Sequence, residues 1–175
     1  MRFEARERMR SDGGQAAMEM ALLVPLLMLL LFGAFQIARL FYVYQTLQKA
    51  LRGGAGFLAR STGVNYCNLD DPALTDARNF IVFGNLQGTG TPVVQGLPPE
   101  MIQILPERAA ADSTTVTECL CAEESASCDT DAGGSPPDFV VLNLGDGFPV
   151  DVPFPYVRLG TIRLKVSVRM PVTGG

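Results

Sequence analysis

The 175-residue sequence contains no histidine and no tryptophan, and between Met20 and Ala38 it has no ionisable side chain. Without histidine the commonest general base is missing. No G-x-S-x-G nucleophile turn and no Walker phosphate loop takes its place. An enzyme is therefore not expected, and nothing calls for a cofactor. Basic excess is also lacking: 14 Lys and Arg stand against 18 Asp and Glu, for a net charge of −4. That leaves no cationic stripe to neutralise phosphates, so nucleic acid is set aside. The four cysteines include no Cys-x-x-Cys pair, which argues against a four-thiolate zinc site. The apolar weight, 47% of the chain, is aliphatic and lies mostly before residue 60. The remainder carries every cysteine and nearly all the proline.

The run Met20–Ala38 has one strongly polar side chain, Gln36. It is longer than the ~7–15-residue core of a secretory signal, and no small-x-small cleavage site follows it. At 1.5 Å rise it approaches the ~20 residues that a membrane span requires. Pro25 removes the bond to the Ala21 carbonyl, so a kink or loosened turn is expected there, tolerable in a membrane helix. Arg2, Arg6, Arg8 and Arg10 precede the run and favour a cytoplasmic N-terminus, although Glu4, Glu7 and Asp12 dilute them.

Glu19 stands at the mouth of this run. A cut between Gly14 and Gln15 would make Glu19 the fifth residue, placing a new α-amine and a carboxylate at i and i+4, one helical turn apart. An α-amine with a pKa of about 7.7–8.0 is mostly protonated at neutral pH. Paired at 4 Å with an effective dielectric near 20, the two charges attract by about 4 kcal/mol before desolvation. Made with the Glu19 of a neighbouring chain, such a pair would set the axial register of stacked parallel helices, with Pro25 in the same segment. A cut at Gly13 would move Glu19 to the sixth position and is less suitable.

A charged leader, Gly14, then Gln15-Ala16-Ala17-Met18-Glu19 opening an apolar helix, resembles a class III prepilin-peptidase site of the type IV pilin superfamily. Within it, Gly14–Arg60 is most similar to TadE-type pseudopilins of the tight-adherence machinery. Ala77–Gly96, the Cys-x-Cys of "TTVTECLCA" and the late strand of "PYVRLGTIRLKVSVRMPV" resemble that family more loosely. Many members carry an aromatic after the glutamate, where this chain has Met20. The resemblance implies a type IV pilin-like α+β fold and a place in the bacterial inner membrane, and it allows incorporation into an extracellular pilus. It also implies partners: a prepilin peptidase, the major Flp-type pilin, a sister pseudopilin, an inner-membrane platform and its cytoplasmic ATPase. The rival is an uncleaved single-span periplasmic scaffold or binding protein.

The expected division is a leader at 1–14, an N-terminal helix at 15–60 and a strand-rich periplasmic head at 61–175. The helix comprises a membrane span at about 20–38 and an amphipathic arm at 39–60. Along the arm Gly33, Ile37, Leu40, Tyr44, Leu47, Leu51, Gly54 and Leu58 form an apolar seam. The head and neighbouring helices are expected to share it. Gly53, Gly54 and Gly56 weaken the arm's far end. Gly54–Ala59 fits G-x-G-x-x-A, but no strand precedes it and the dinucleotide reading fails.

In the head, Asp71 caps a short helix with Pro72 in its first turn, and "FIVFG" is expected to follow as a strand. "EMIQIL", "TTVTECLC" and "FVVLNL" are further strand candidates. The alternation from Ile162 to Met170 predicts one strand, its outer face basic through Arg163, Lys165 and Arg169 and able to meet an acidic surface. Cys67, Cys119, Cys121 and Cys128 indicate an oxidising compartment. They allow three pairings, and sequence alone does not choose among them. A bond between Cys119 and Cys121, at i and i+2 on one strand face, would strain the backbone. The expected pairs are Cys121–Cys128, closing a loop, and Cys119–Cys67, tying the helical arm to the sheet. Asp129 and Asp131 offer a weak calcium candidate, lacking a distal bidentate glutamate; a solvated acidic loop is the simpler reading.

Overall fold

The computed structural model describes residues 2–110, 115–119, 121, 128–154 and 157–174, with the backbone path alone for 2–13, 154 and 157–159. The fold is α+β: one long helix whose C-terminal third packs on a small antiparallel β head. Helix α1 spans Arg2–Leu58 and passes through Pro25 as continuous helix.

Along α1 the packing changes character. From Met18 to Leu31 large apolar side chains are exposed on every side of the helix. Gln36 is buried ahead of the others, and packing of the apolar side chains on the head begins at Leu40 and Tyr44 and is complete at Leu47, Leu51, Ala55 and Leu58. The head thus covers the seam from Leu40 onward, while Ile37 stays 59% exposed.

Helix α2, Pro72–Phe83, starts as its sequence dictates: Asp71 accepts the Ala73 amide at 2.8 Å and Pro72 occupies the first turn. It runs further than expected, because "FIVF" is its last turn and not a strand. Leu74, Ala77 and Ile81, at helical spacing, are buried in the same core as α1. Gly84 ends the helix at φ 73°, its N–H returning to the Phe80 carbonyl at 2.9 Å.

A 3₁₀ turn, Pro99–Met101, leads into β1, Gln103–Ala109. It is followed by β2 at Val116–Glu118, β3 at Phe139–Asn143, β4 at Phe148–Phe154, β5 at Val157–Leu164 and β6 at Ser167–Pro171. The main sheet has the order β2-β1-β3-β6 with all neighbours antiparallel. Between β3 and β6 the chain leaves it to form the separate β4–β5 hairpin.

The single late strand is thereby corrected. Its alternating pattern covers two strands in different sheets, interrupted at Lys165 and Val166. A two-residue period that stays in phase across the break cannot reveal it. Val166 and Val168 are buried, whereas Ile162 on the hairpin is 40% exposed.

The sheet, α2 and the end of α1 share one core, with Val140, Leu142 and Val168 meeting Leu51, Leu58 and Ile81. Beyond α1, the amides of Thr173 and Gly174 and the Thr173 hydroxyl all donate to the Ala59 carbonyl, at 2.7, 3.1 and 3.1 Å. The segment after β6 thereby satisfies an acceptor left over by the helix.

Candidate functional site

The mouth of the apolar helix brings together the residues singled out from the sequence. Gly14 is helical, with open space where a Cβ would lie. One turn apart on the same face, Gln15 Nε2 donates to Glu19 Oε1 at 3.3 Å, both side chains exposed. The i, i+4 geometry is therefore present, with the side-chain amide of Gln15 in contact with the carboxylate. From Gly14 to Leu58 the helix contains a window of mean hydropathy 2.4, of which 6% is buried. An apolar surface on all sides, uncovered by its own chain, suits a helix placed in lipid.

At the other end the four cysteines form two disulfides, paired differently from expectation: Cys67–Cys121 and Cys119–Cys128. Strand β2 ends at Glu118, so Cys119 and Cys121 do not share a continuing strand face. Cys119 turns inward to the fully buried Cys128, and the exposed Cys121 reaches Cys67. Their Cα–Cα separations are 5.5 Å for Cys67–Cys121 and 5.8 Å for Cys119–Cys128. By loop entropy, the 54-residue and 9-residue separations contribute about 4 and about 2.5 kcal/mol. Arg108 fastens the inner bridge, its Nη2 lying 3.3 Å from Cys128 Sγ and donating to the Ser135 and Pro136 carbonyls at 2.5 and 3.1 Å.

Asp129 and Asp131 face a protein donor. The buried Asn65 sends its amide nitrogen to Asp129 Oδ1 and Asp131 Oδ2, both at 2.8 Å. Its backbone N–H goes to Asp71 Oδ2 at 2.9 Å, and its Oδ1 accepts the Cys67 amide at 3.0 Å. One side chain thus links the α2 cap, the acidic turn and the first disulfide. Among the described residues no group of three metal-ligating side chains converges. Next in sequence, buried Tyr66 donates to the Leu58 carbonyl at 3.3 Å. Burial, and secondarily the Asp71 charge, pushes its phenol up to about 12.

The basic outer face also needs correction. Arg163 and Lys165 are not in one strand with Arg169, which is engaged within the sheet. Arg169 crosses the Phe139 ring, 5.4 Å from its centroid, and donates through Nε to Glu107 Oε2 at 2.6 Å. Nη2 reaches the same oxygen.

The roles of four positions are not visible in the sequence alone. Gly53 and Gly54 are where α2 crosses α1; a Cβ at Gly53 would lie 2.9 Å from the Phe80 ring. The run of small residues Gly53–Gly56 is the signal for this crossing, although by propensity alone it implies only a weak helix. Nothing in the sequence marked Asn65. Gln36 stood out as the polar side chain of the span, but its partner, the Pro153 carbonyl at 2.9 Å, is 117 residues away.

Residues 14–55 match the family model described as TadE-like protein. No curated protein and no solved structure matches the chain. The matched segment holds Gly14, Gln15, Glu19 and Pro25 together with the exposed apolar helix, and it makes residues 14–55 a TadE-like segment.

Proposed function

We propose that the protein is a minor pseudopilin of a tight-adherence type IV pilus. It is made as a precursor, cut after Gly14 by a prepilin peptidase, and used in pilus initiation, assembly or tip and anchor formation. The TadE-like match over an uncovered apolar helix carries this reading. The role is structural, with no catalysis. Residues 20–38 of α1 cross the inner membrane, the N-terminus is cytoplasmic and the disulfide-bonded head faces the periplasm. Partners are the peptidase, the major Flp-type pilin, a sister pseudopilin and the inner-membrane platform with its ATPase.

Cleavage replaces a side-chain hydrogen bond by a charge pair. In the uncut chain Glu19 accepts from the neutral Gln15 amide; once Gln15 is N-terminal, its ammonium gives Glu19 of its own or a neighbouring chain a charged partner. Glu19→Ala is accordingly cleaved normally but fails to assemble into pili. Normal piliation by this variant would contradict the pairing. The rival, an uncleaved single-span scaffold, takes its support from the unbroken helix across Gly14.

A further inference from the structure

The β4–β5 hairpin leaves the head in the direction of the membrane-facing part of α1. At its base Phe148 and Val150 are buried in the same head core as Leu47 and Leu51 of α1. Toward its far end the Pro153 carbonyl accepts from Gln36 at 2.9 Å. Hairpin and helix therefore run side by side from Leu47 back to Gln36. A Gly160 at φ 77°, next to a register shift between Asp151 and Pro153, bends β5 within this stretch.

The depth follows from counting. Gln36 precedes Arg39, the first charge after the span, by three residues, or about 4.5 Å at 1.5 Å rise per residue. Pro153 thus lies below the level of Arg39, within the depth of the apolar helix. Higher up, the two elements leave between them an almost wholly apolar gap of about 200 Å³, lined by Leu40, Phe41, Tyr44 and Leu164. Beside it Phe41 is 61% and Tyr42 73% exposed. Aromatic side chains of this kind suit the boundary between lipid and water. The gap exceeds the ~150 Å³ apolar cavities that hold benzene, so part of an acyl chain fits.

We propose that the β4–β5 hairpin is a second membrane-contacting element: β4 at Pro153 is embedded in the periplasmic leaflet beside α1, and phospholipid of that leaflet covers the gap lined by Leu40, Phe41, Tyr44 and Leu164. The inference rests on reading α1 as a membrane span. Continuity with that span selects lipid as the occupant, since the gap opens where the helix meets the bilayer surface. Gln36, otherwise an unmatched polar group in the span, is satisfied by the element that enters with it.

The chain has no tryptophan, so single introduced tryptophans report depth without background. The full chain is reconstituted in phosphatidylethanolamine/phosphatidylglycerol vesicles whose acyl chains are brominated at a shallow or a deep position. Pro153→Trp keeps the carbonyl that Gln36 uses; Ile162→Trp reports nearer the hairpin base, Phe41→Trp the gap, Leu30→Trp the span, and Val93→Trp an exposed site in the head. The expected result is at least twofold quenching of the Pro153→Trp and Phe41→Trp variants by the shallow bromines, weaker quenching of Ile162→Trp and none of Val93→Trp. Quenching of Leu30→Trp, with Pro153→Trp and Phe41→Trp as unquenched as Val93→Trp, would overturn the proposal and leave the span intact, the gap then belonging to another protein chain. An unquenched Leu30→Trp would remove the span reading itself, and the proposal with it. Should Pro153→Trp not fold, Ile162→Trp decides: quenching by the shallow bromines above that of Val93→Trp supports the proposal, and quenching equal to that of Val93→Trp overturns it.

Discussion

Replacing Gly54 by alanine opposes two effects whose balance the helix crossing decides. Alanine is favoured over glycine in a helix interior by about 0.8–1.0 kcal/mol, so propensity alone makes Gly54→Ala stabilising. The new Cβ, however, falls 2.5 Å from Ile81 Cδ1 and closer still to Cγ1. Favourable carbon contacts lie near ~3.5–4.0 Å, and Ile81 is fully buried with a β-branched side chain that is stiff at χ1 in a helix. Overpacking of this kind costs about 1–3 kcal/mol, here toward the upper end. The net expectation is a loss of about 1–2 kcal/mol, or about 2–8 °C in Tm for a chain of this size. Gly56→Ala is the internal control, since its Cβ would meet the pliable Arg60 Nη2 at 3.4 Å and Met170 Sδ at 3.8 Å. That variant gains up to about 1 kcal/mol. The assay is urea and thermal unfolding of the full chain in detergent with disulfides intact, followed by near-UV circular dichroism. A double-mutant cycle with Ile81→Ala should recover part of the Gly54→Ala loss, because the two sites share one contact. Stabilisation by Gly54→Ala equal to that by Gly56→Ala, or strict additivity in the cycle, would refute close packing of α1 on α2 at this point.

Two further predictions concern the segment after α1. Tyr66, raised in the folded state from 10.0 to about 12, retains its proton where the unfolded chain loses it. Its stabilising contribution is therefore complete below pH 10 and declines by at most about 1.4 kcal/mol per pH unit between pH 10 and 12. Tyr66→Phe should flatten that part of a stability-versus-pH curve; an unchanged slope would assign the alkaline loss to other groups. Asn65→Ala removes donors to Asp129 and Asp131 and leaves the Cys67 amide without its acceptor. The expected cost is about 2–3 kcal/mol, read by the same unfolding assay, and a change below about 0.5 kcal/mol would deny Asn65 its linking role.

The parts of the molecule legible in the sequence are those fixed by local composition. Exclusion of charge from Met20 to Ala38 marked the exposed apolar helix, Asp71-Pro72 marked the start of α2, and the i, i+4 spacing of Gln15 and Glu19 placed both on one face. The errors arose where a local pattern allows two tertiary outcomes. "FIVFG" is too short for its apolar run to separate strand from helix, and burial of Leu74, Ala77 and Ile81 in one core decided for helix. Excluding a Cys119–Cys121 bond leaves two pairings that local spacing does not separate; burial decides, with Cys119 and Cys128 inside and the exposed Cys121 reaching Cys67. Helix propensity alone marks Gly54 as a weak point, whereas its missing side chain serves a close approach from α2. The Gln36–Pro153 contact joins positions whose proximity depends on the whole head being folded.

Processing at Gly14 is the claim on which the pseudopilin account turns. Intact mass and N-terminal sequence of the protein purified from the native cell envelope, with and without the prepilin peptidase, test it most directly. The account predicts a chain beginning at Gln15 when the peptidase is present and at Met1 when it is absent. Recovery of only the Met1 form in the presence of active peptidase would contradict it.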